Sequence, residues 1–181
     1  MAIRFRKYKF DNSTGTLTVD GTTIQSSTGY LSGLKRIHLR RTSDLAIADA
    51  TAYYPTWDTQ THIDTSHFTH STSTNADNIT VNVAGVYNII GNFTFNNSTG
   101  VQRNTLRVLP RLNGTNINEA ATYDYDRGTD YGQFSNNKVN TIVECSANDV
   151  IDFQIYGQNV DGTPVLDATF SEILIWYMGT A

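Results

Sequence analysis

The chain has 181 residues, with 13 Lys and Arg against 17 Asp and Glu, for a formal charge of −4. That length suits one domain with a short appendage, and the abundance of Thr, Asn, Ser, Gly and Tyr points to a β protein rather than a helical one. A lone cysteine, Cys145, excludes an intrachain disulfide and a cysteine-based zinc cage, and no stretch reaches the roughly 20 apolar residues of a membrane span.

The start, MAIRFRKYKF, is basic and lacks a following apolar block, so the chain is expected to be made without a secretion signal. Arg4, Arg6, Lys7 and Lys9 are interleaved with Phe5, Tyr8 and Phe10. That alternation suits an arm that buries apolar area while presenting positive charge, and it equally describes an ordinary first strand. Residues 1–41 hold eight of the cations and two acids, a balance of +6; the remaining five cations face fifteen acids, a balance of −10. A basic arm docking on an acidic surface follows, with nucleic acid as an alternative target. GTLTVDGTTI, centred on Asp20-Gly21, predicts a hairpin over 10–25, because Asp-Gly supplies the positive φ of a two-residue turn. SSTGYLSG reads as a linker, which divides the chain into an arm, 1–34, and a body, 35–181.

From Lys35 onward the pattern predicts ten strands, near 35–41, 50–54, 66–71, 77–82, 84–95, 103–112, 118–125, 138–145, 149–157 and 169–178. Pro110 marks its strand as an edge or as bulged, and TSDLAIADATA is a weak candidate for the one helix. In VAGVYNIIGNFTF, Tyr87, Ile89, Phe93 and Phe95 share one face with Gly91, and the other face is half polar. EILIWYM differs. Ile173, Ile175 and Tyr177 face one way and Leu174, Trp176 and Met178 the other, so both faces are apolar. Something must cover the outer one, and self-association through Leu174, Trp176 and Met178 is the simplest cover.

Several motifs in this order carry a family likeness. Arg41-Thr42-Ser43 comes first, then Val83 to Tyr87, then LRVLPRLNGT (Leu106 to Thr115), then CSANDVIDFQIYG, with Asn148 where a Gly is usual before Asp149, and finally Ser171 to Met178. The chain from about residue 35 to its end resembles the C1q and tumour-necrosis-factor-like jelly roll. That resemblance implies an all-β, two-sheet antiparallel jelly roll of about ten strands, packed as a tight threefold homotrimer with its first and last strands near the axis. A collagen stalk is absent, and similar trimeric knobs occur on bacteriophage virions as capsid decoration proteins, head fibres and tail-fibre tips.

No phosphate loop, Gly-x-Ser-x-Gly elbow, His-Glu-x-x-His or dinucleotide fingerprint is present. Ser32-Gly-Leu-Lys35 matches Ser-x-x-Lys without the partner motifs of that enzyme class. HIDTSHFTH, if extended, places His62 and His70 with Asp64 on one face and His67 on the other, so one chain supplies at most two imidazoles to a metal. YDYDRGTDYG sets Asp124, Asp126 and Asp130 around Gly128, a partial calcium loop lacking its distal Glu. With Tyr123, Tyr125 and Tyr131 it is the expected exposed contact loop, suited to stacking on sugars or proteins. Cys145 reads as a structural thiol at a strand end, and the Asn-x-Ser/Thr triplets read as composition.

The leading expectation is a non-enzymatic virion protein: a homotrimeric decoration or cement protein held on the major capsid protein by Arg4 to Phe10, with no cofactor and no membrane partner. An outward-facing knob disfavours nucleic acid as the target of the arm. The alternative is a receptor-binding tip that recognises host glycan through the loop tyrosines and acids; a polysaccharide lyase or hydrolase is a third, weaker reading.

Overall fold

A computed structural model describes residues 8–11, 16–19, 22–25, 35–97, 103–127 and 133–181. The chain divides into two units, 1–34 and 35–181. In the first, β1 (Tyr8–Asp11), β2 (Thr16–Val19) and β3 (Thr22–Gln25) form an antiparallel sheet in that order. The expected hairpin over 10–25 is present as β2 and β3, paired from Val19↔Thr22 to Leu17↔Gln25, and β1 extends it to a three-stranded meander by pairing with β2 from Tyr8↔Val19 to Asp11↔Thr16. Arg4, Phe5, Arg6 and Lys7, and the Asp20-Gly21 turn, lie outside the described residues, as do Ser32 and its linker.

The second unit runs β4 (Arg36–Arg40), β5 (Leu45–Ala46), β6 (Ala52–Tyr53), β7 (Thr59–Ile63), β8 (Phe68–Thr69), β9 (Ile79–Val81), β10 (Gly85–Asn97), β11 (Arg103–Leu112), β12 (Thr115–Asn116), β13 (Thr122–Arg127), β14 (Gln133–Cys145), β15 (Val150–Gln158), β16 (Val165–Leu166) and β17 (Glu172–Gly179). Its strands pair antiparallel in two sheets. The first has β10 between β14 and β17, with β4 and β7 beyond β17 and the short β16 and β5 at the far end of β10. The second has β11 between β13 and β15, with β12 on β11 and β6, β9 and β8 beyond β15.

Among the described residues, fourteen segments thus stand where ten were expected in the body. Three of the additions, β5, β12 and β16, are two residues long. The fourth, β7, has little apolar alternation and is held by pairing with β4. The strand expected from 118 begins at Thr122, after a 3-10 turn over Asn118–Ala120. The strand expected from 138 begins at Gln133, because β14 pairs with β10 along its whole length, from Gly85↔Cys145 to Asn97↔Gln133. Arg41-Thr42-Ser43 follows β4 rather than lying within it, and TSDLAIADATA forms the short β5, not a helix.

The two sheets enclose one core. Tyr87, Ile89, Phe93 and Phe95 of β10, with Ile173 and Ile175 of β17, meet Leu106 and Val108 of β11 and Ile151, Phe153 and Ile155 of β15. Trp57, from the segment between β6 and β7, is fully buried, edge-on to Phe93 at 5.9 Å and to Phe153 at 6.5 Å. Gly91 is needed beside this group because a Cβ there would collide with the Phe93 ring and press on Phe153. Pro110 sits in an interior strand. Pairing to β15 continues through Pro110↔Phe153, while on the other side β13 ends at Val108 and β12 begins at Arg111. The Pro110 carbonyl accepts from Ile117 N–H on that open side, so its missing N–H falls where no ladder bond is required. Asn148 has φ 73°, the left-handed backbone that explains why Asn can stand where Gly is usual.

Candidate functional site

Each sheet turns one face outward, and the two faces differ. On the first, Leu174 and Trp176 are half-buried and Met178 is 55% exposed. Register sets Trp176 between Arg36 and Asn88, and Leu174 between His38 and Ile90. Ile142 of β14, opposite Asn88, is 59% exposed. Leu174, Trp176 and Met178 thus run as an apolar stripe along β17, with Ile142 on the same face beyond Asn88, uncovered by the described residues of the second unit. Next to it the His38 imidazole and Glu172 carboxylate approach to 3.0 Å. Beyond them an open cleft of about 510 Å³ is lined by Arg40, Asn92, Glu172 and the exposed, edge-to-face pair Phe134 and Phe170. Sequence reasoning missed Ile142, Phe134 and Phe170, although the outward alternation of β14 marks the first two.

On the second sheet the expected contact loop is a strand. Tyr123, Asp124, Tyr125 and Asp126 belong to β13, because they pair with β11 from Arg103↔Arg127 to Val108↔Thr122. Tyr123 and Tyr125 are 60% and 56% exposed, whereas Asp124 is half-buried. Asp130 and Tyr131 lie outside the described residues. The Arg107 guanidinium stacks on Tyr123 at 5.1 Å, and the Arg111 guanidinium stacks on Tyr54 at 4.6 Å. Arg111 also approaches Asp152, Nε to Oδ1, at 3.2 Å. Tyr54, Arg111 and Asp152 border a second cleft, of about 540 Å³. Nothing in the sequence reading pointed to that group.

The histidine segment is not extended. The Asp64 carboxylate accepts from the Ser66 N–H and hydroxyl, and its carbonyl accepts from His67 and Phe68 N–H, so the chain turns there. His62 pairs across β7 and β4 with His38. His67 stays beside Asp64 and against the Tyr177 ring. His70 accepts from the Gln60 amide at Nδ1 and donates from Nε2 to the Ala76 carbonyl. Burial holds its pKa below the ordinary value, so the ring is neutral. The His67 and His70 imidazoles are separately engaged, and among the described residues no group of three His, Cys, Asp or Glu could hold a metal. Burial first, and then Asp149, push the Cys145 thiol up to about 12, leaving it protonated and inert as a nucleophile.

No family model and no curated protein matches the sequence. Solved structures do match the fold. Two structures of murine APRIL align with TM-scores of 0.54 and 0.53 at 9% and 12% identity, each covering 80% of this chain and 99% of that chain. Eiger TNF from S. frugiperda aligns with a TM-score of 0.51 at 11% identity, covering 82% of this chain and 94% of that chain. The fold is an all-β, TNF-like jelly roll.

Proposed function

We propose that the protein is a non-enzymatic, homotrimeric virion component, a capsid decoration or cement protein whose jelly-roll knob is held on the shell by its basic N-terminal unit. The observation that carries the reading is the stripe of Leu174, Trp176, Met178 and Ile142 on the outer face of the first sheet. A central strand that is apolar on both sides gains by burying its outer side against another copy, and the resemblance to C1q and TNF-like domains supplies the threefold arrangement. Arg4, Arg6, Lys7 and Lys9 against Asp11 and Asp20 give residues 1–34 a balance of +2, and three such arms per trimer, as linked weak contacts, bind a repeating acidic shell far more tightly than one arm would.

The test replaces Arg4, Arg6, Lys7 and Lys9 with Gln in the full chain. Native mass should remain that of a trimer while binding to capsids is lost. A monomer at micromolar concentration, or undiminished capsid binding by the variant, overturns the reading. A second reading, a fibre tip that recognises host glycan, is favoured by the exposure of Tyr54, Tyr123 and Tyr125 on the second sheet. It predicts that the arm variant still binds cells.

A further inference from the structure

We propose that the cleft bordered by Tyr54, Arg111 and Asp152 is a saccharide site that takes a neutral pyranose. The inference deepens the second reading, and it moves the contact away from Tyr123 and Tyr125, where that reading first placed it.

Asp152 projects outward from β15 opposite Arg111 of β11, yet its side chain is only 9% exposed. Arg111 Nε lies 3.2 Å from Asp152 Oδ1 but out of line for a hydrogen bond, so both atoms are buried without one. Neither atom meets solvent, so the ion pair fixes the Asp152 carboxylate beside a cleft roomy enough for a small ligand. The site is also rigid. Tyr54 lies over the Arg111 guanidinium, and its hydroxyl accepts from Gln154 Nε2 at 3.0 Å, two contacts that hold the ring at the border of the cleft. Asn113 is fixed at the rim: its amide donates to Asp149 and its oxygen accepts from Val150 N–H, each at 2.8 Å. Asn113 and Gly114, with φ 51° and 76°, form the two-residue turn between β11 and β12.

The chemistry selects the ligand class. Carboxylate acceptors at Asp152 and Asp77, an amide at Asn78 and the exposed aromatic ring of Tyr54 match a ring of hydroxyls with an apolar C–H face. Two carboxylates against one guanidinium disfavour phosphate, sulfate and acidic sugars. A metal ion would find only two carboxylates, with a guanidinium beside one of them. The cleft lies on the second sheet, whereas the apolar stripe lies on the first.

The full-length protein is to be titrated with the methyl pyranosides of glucose, galactose, mannose and N-acetylglucosamine, followed by saturation-transfer NMR. At least one probe is expected to bind. Asp152→Asn and Tyr54→Ala should each weaken that binding roughly tenfold, and Tyr123→Ala should leave it unchanged. Tyr54 is a surface residue, so its variant keeps the test valid even if Asp152→Asn fails to fold. Silence from all four probes overturns the proposal. Loss with Tyr123→Ala but not with Tyr54→Ala also overturns it while sparing the glycan reading. Binding of trilysine that is lost in Asp152→Asn, without any sugar binding, would assign the cleft to a cationic partner and overturn the proposal. Capsid binding by the arm variant is read separately, so failure here leaves the decoration reading intact.

Discussion

The outward faces of the two sheets are built on the same alternation and end in different chemistry. On the first, the positions between core residues of β17 and β14 carry Leu174, Trp176, Met178 and Ile142. These present apolar area with few fixed polar partners, which suits a broad protein contact. On the second, the equivalent positions of β11 and β15 carry Arg107, Arg111 and Asp152, stacked on tyrosines or paired with one another. Here the polar groups are oriented in advance, which suits a small ligand with directional hydrogen bonds. One core can thus support two kinds of recognition, because inward and outward residues of a strand are chosen independently.

The sharpest way to break the contrast is to attack what the faces share. Trp57 bridges the sheets through Phe93 and Phe153, so Trp57→Ala should cost about 3–5 kcal/mol. Chemical denaturation should show the loss, and both faces should lose function together. A next, smaller effect separates the faces. Trp176→Glu should weaken self-association at least about thirtyfold, as expected for loss of a central aromatic contact, while the unfolding midpoint of the monomer barely moves. Tyr123→Glu on the opposite sheet should leave the native mass unchanged. If both variants dissociate the protein equally, the division of labour between the faces fails.

Local pattern made part of this legible. The long alternation of β10 and β17 announces both the core face and the uncovered apolar face, and Asn148 betrays its positive φ through its place in the turn before Asp149. Trp57 was not legible, because it lies in a segment without periodicity and is buried only by distant strands. Nor was the Tyr54, Arg111 and Asp152 group. It exists through the β11 to β15 register, which pairs Arg111 with Asp152, and no local rule fixes that register. The extended segment that would have put His62 and His70 on one face is absent for an equally concrete reason: Asp64 forms a turn there.

The weakest contrast is electrostatic, and the signs are opposite. At the end of β7, on the first sheet, the Ser66 hydroxyl bond and then Lys35 pull Asp64 down to about 2 from 3.8. Its folded pKa is depressed, so its contribution is full above 3.8 and is lost as pH falls toward about 2. On the second sheet, burial raises Asp152, offset in part by Arg111 and reinforced by Asp77. Its ionised form therefore penalises the fold above the ordinary carboxylate range, and acid relieves the penalty. Melting temperatures of Asp64→Asn and Asp152→Asn, each taken relative to the unmodified protein between pH 7 and pH 2, should diverge accordingly. The deficit of Asp64→Asn, about 2–4 °C at neutral pH for a contribution near 1 kcal/mol in a chain this size, should close on acidification. The difference for Asp152→Asn should move the other way, to the disadvantage of the variant, because acid stabilises only the protein that retains the carboxyl. Difference curves with the same slope would show that the two carboxylates sit in equivalent surroundings and would remove the electrostatic part of the contrast.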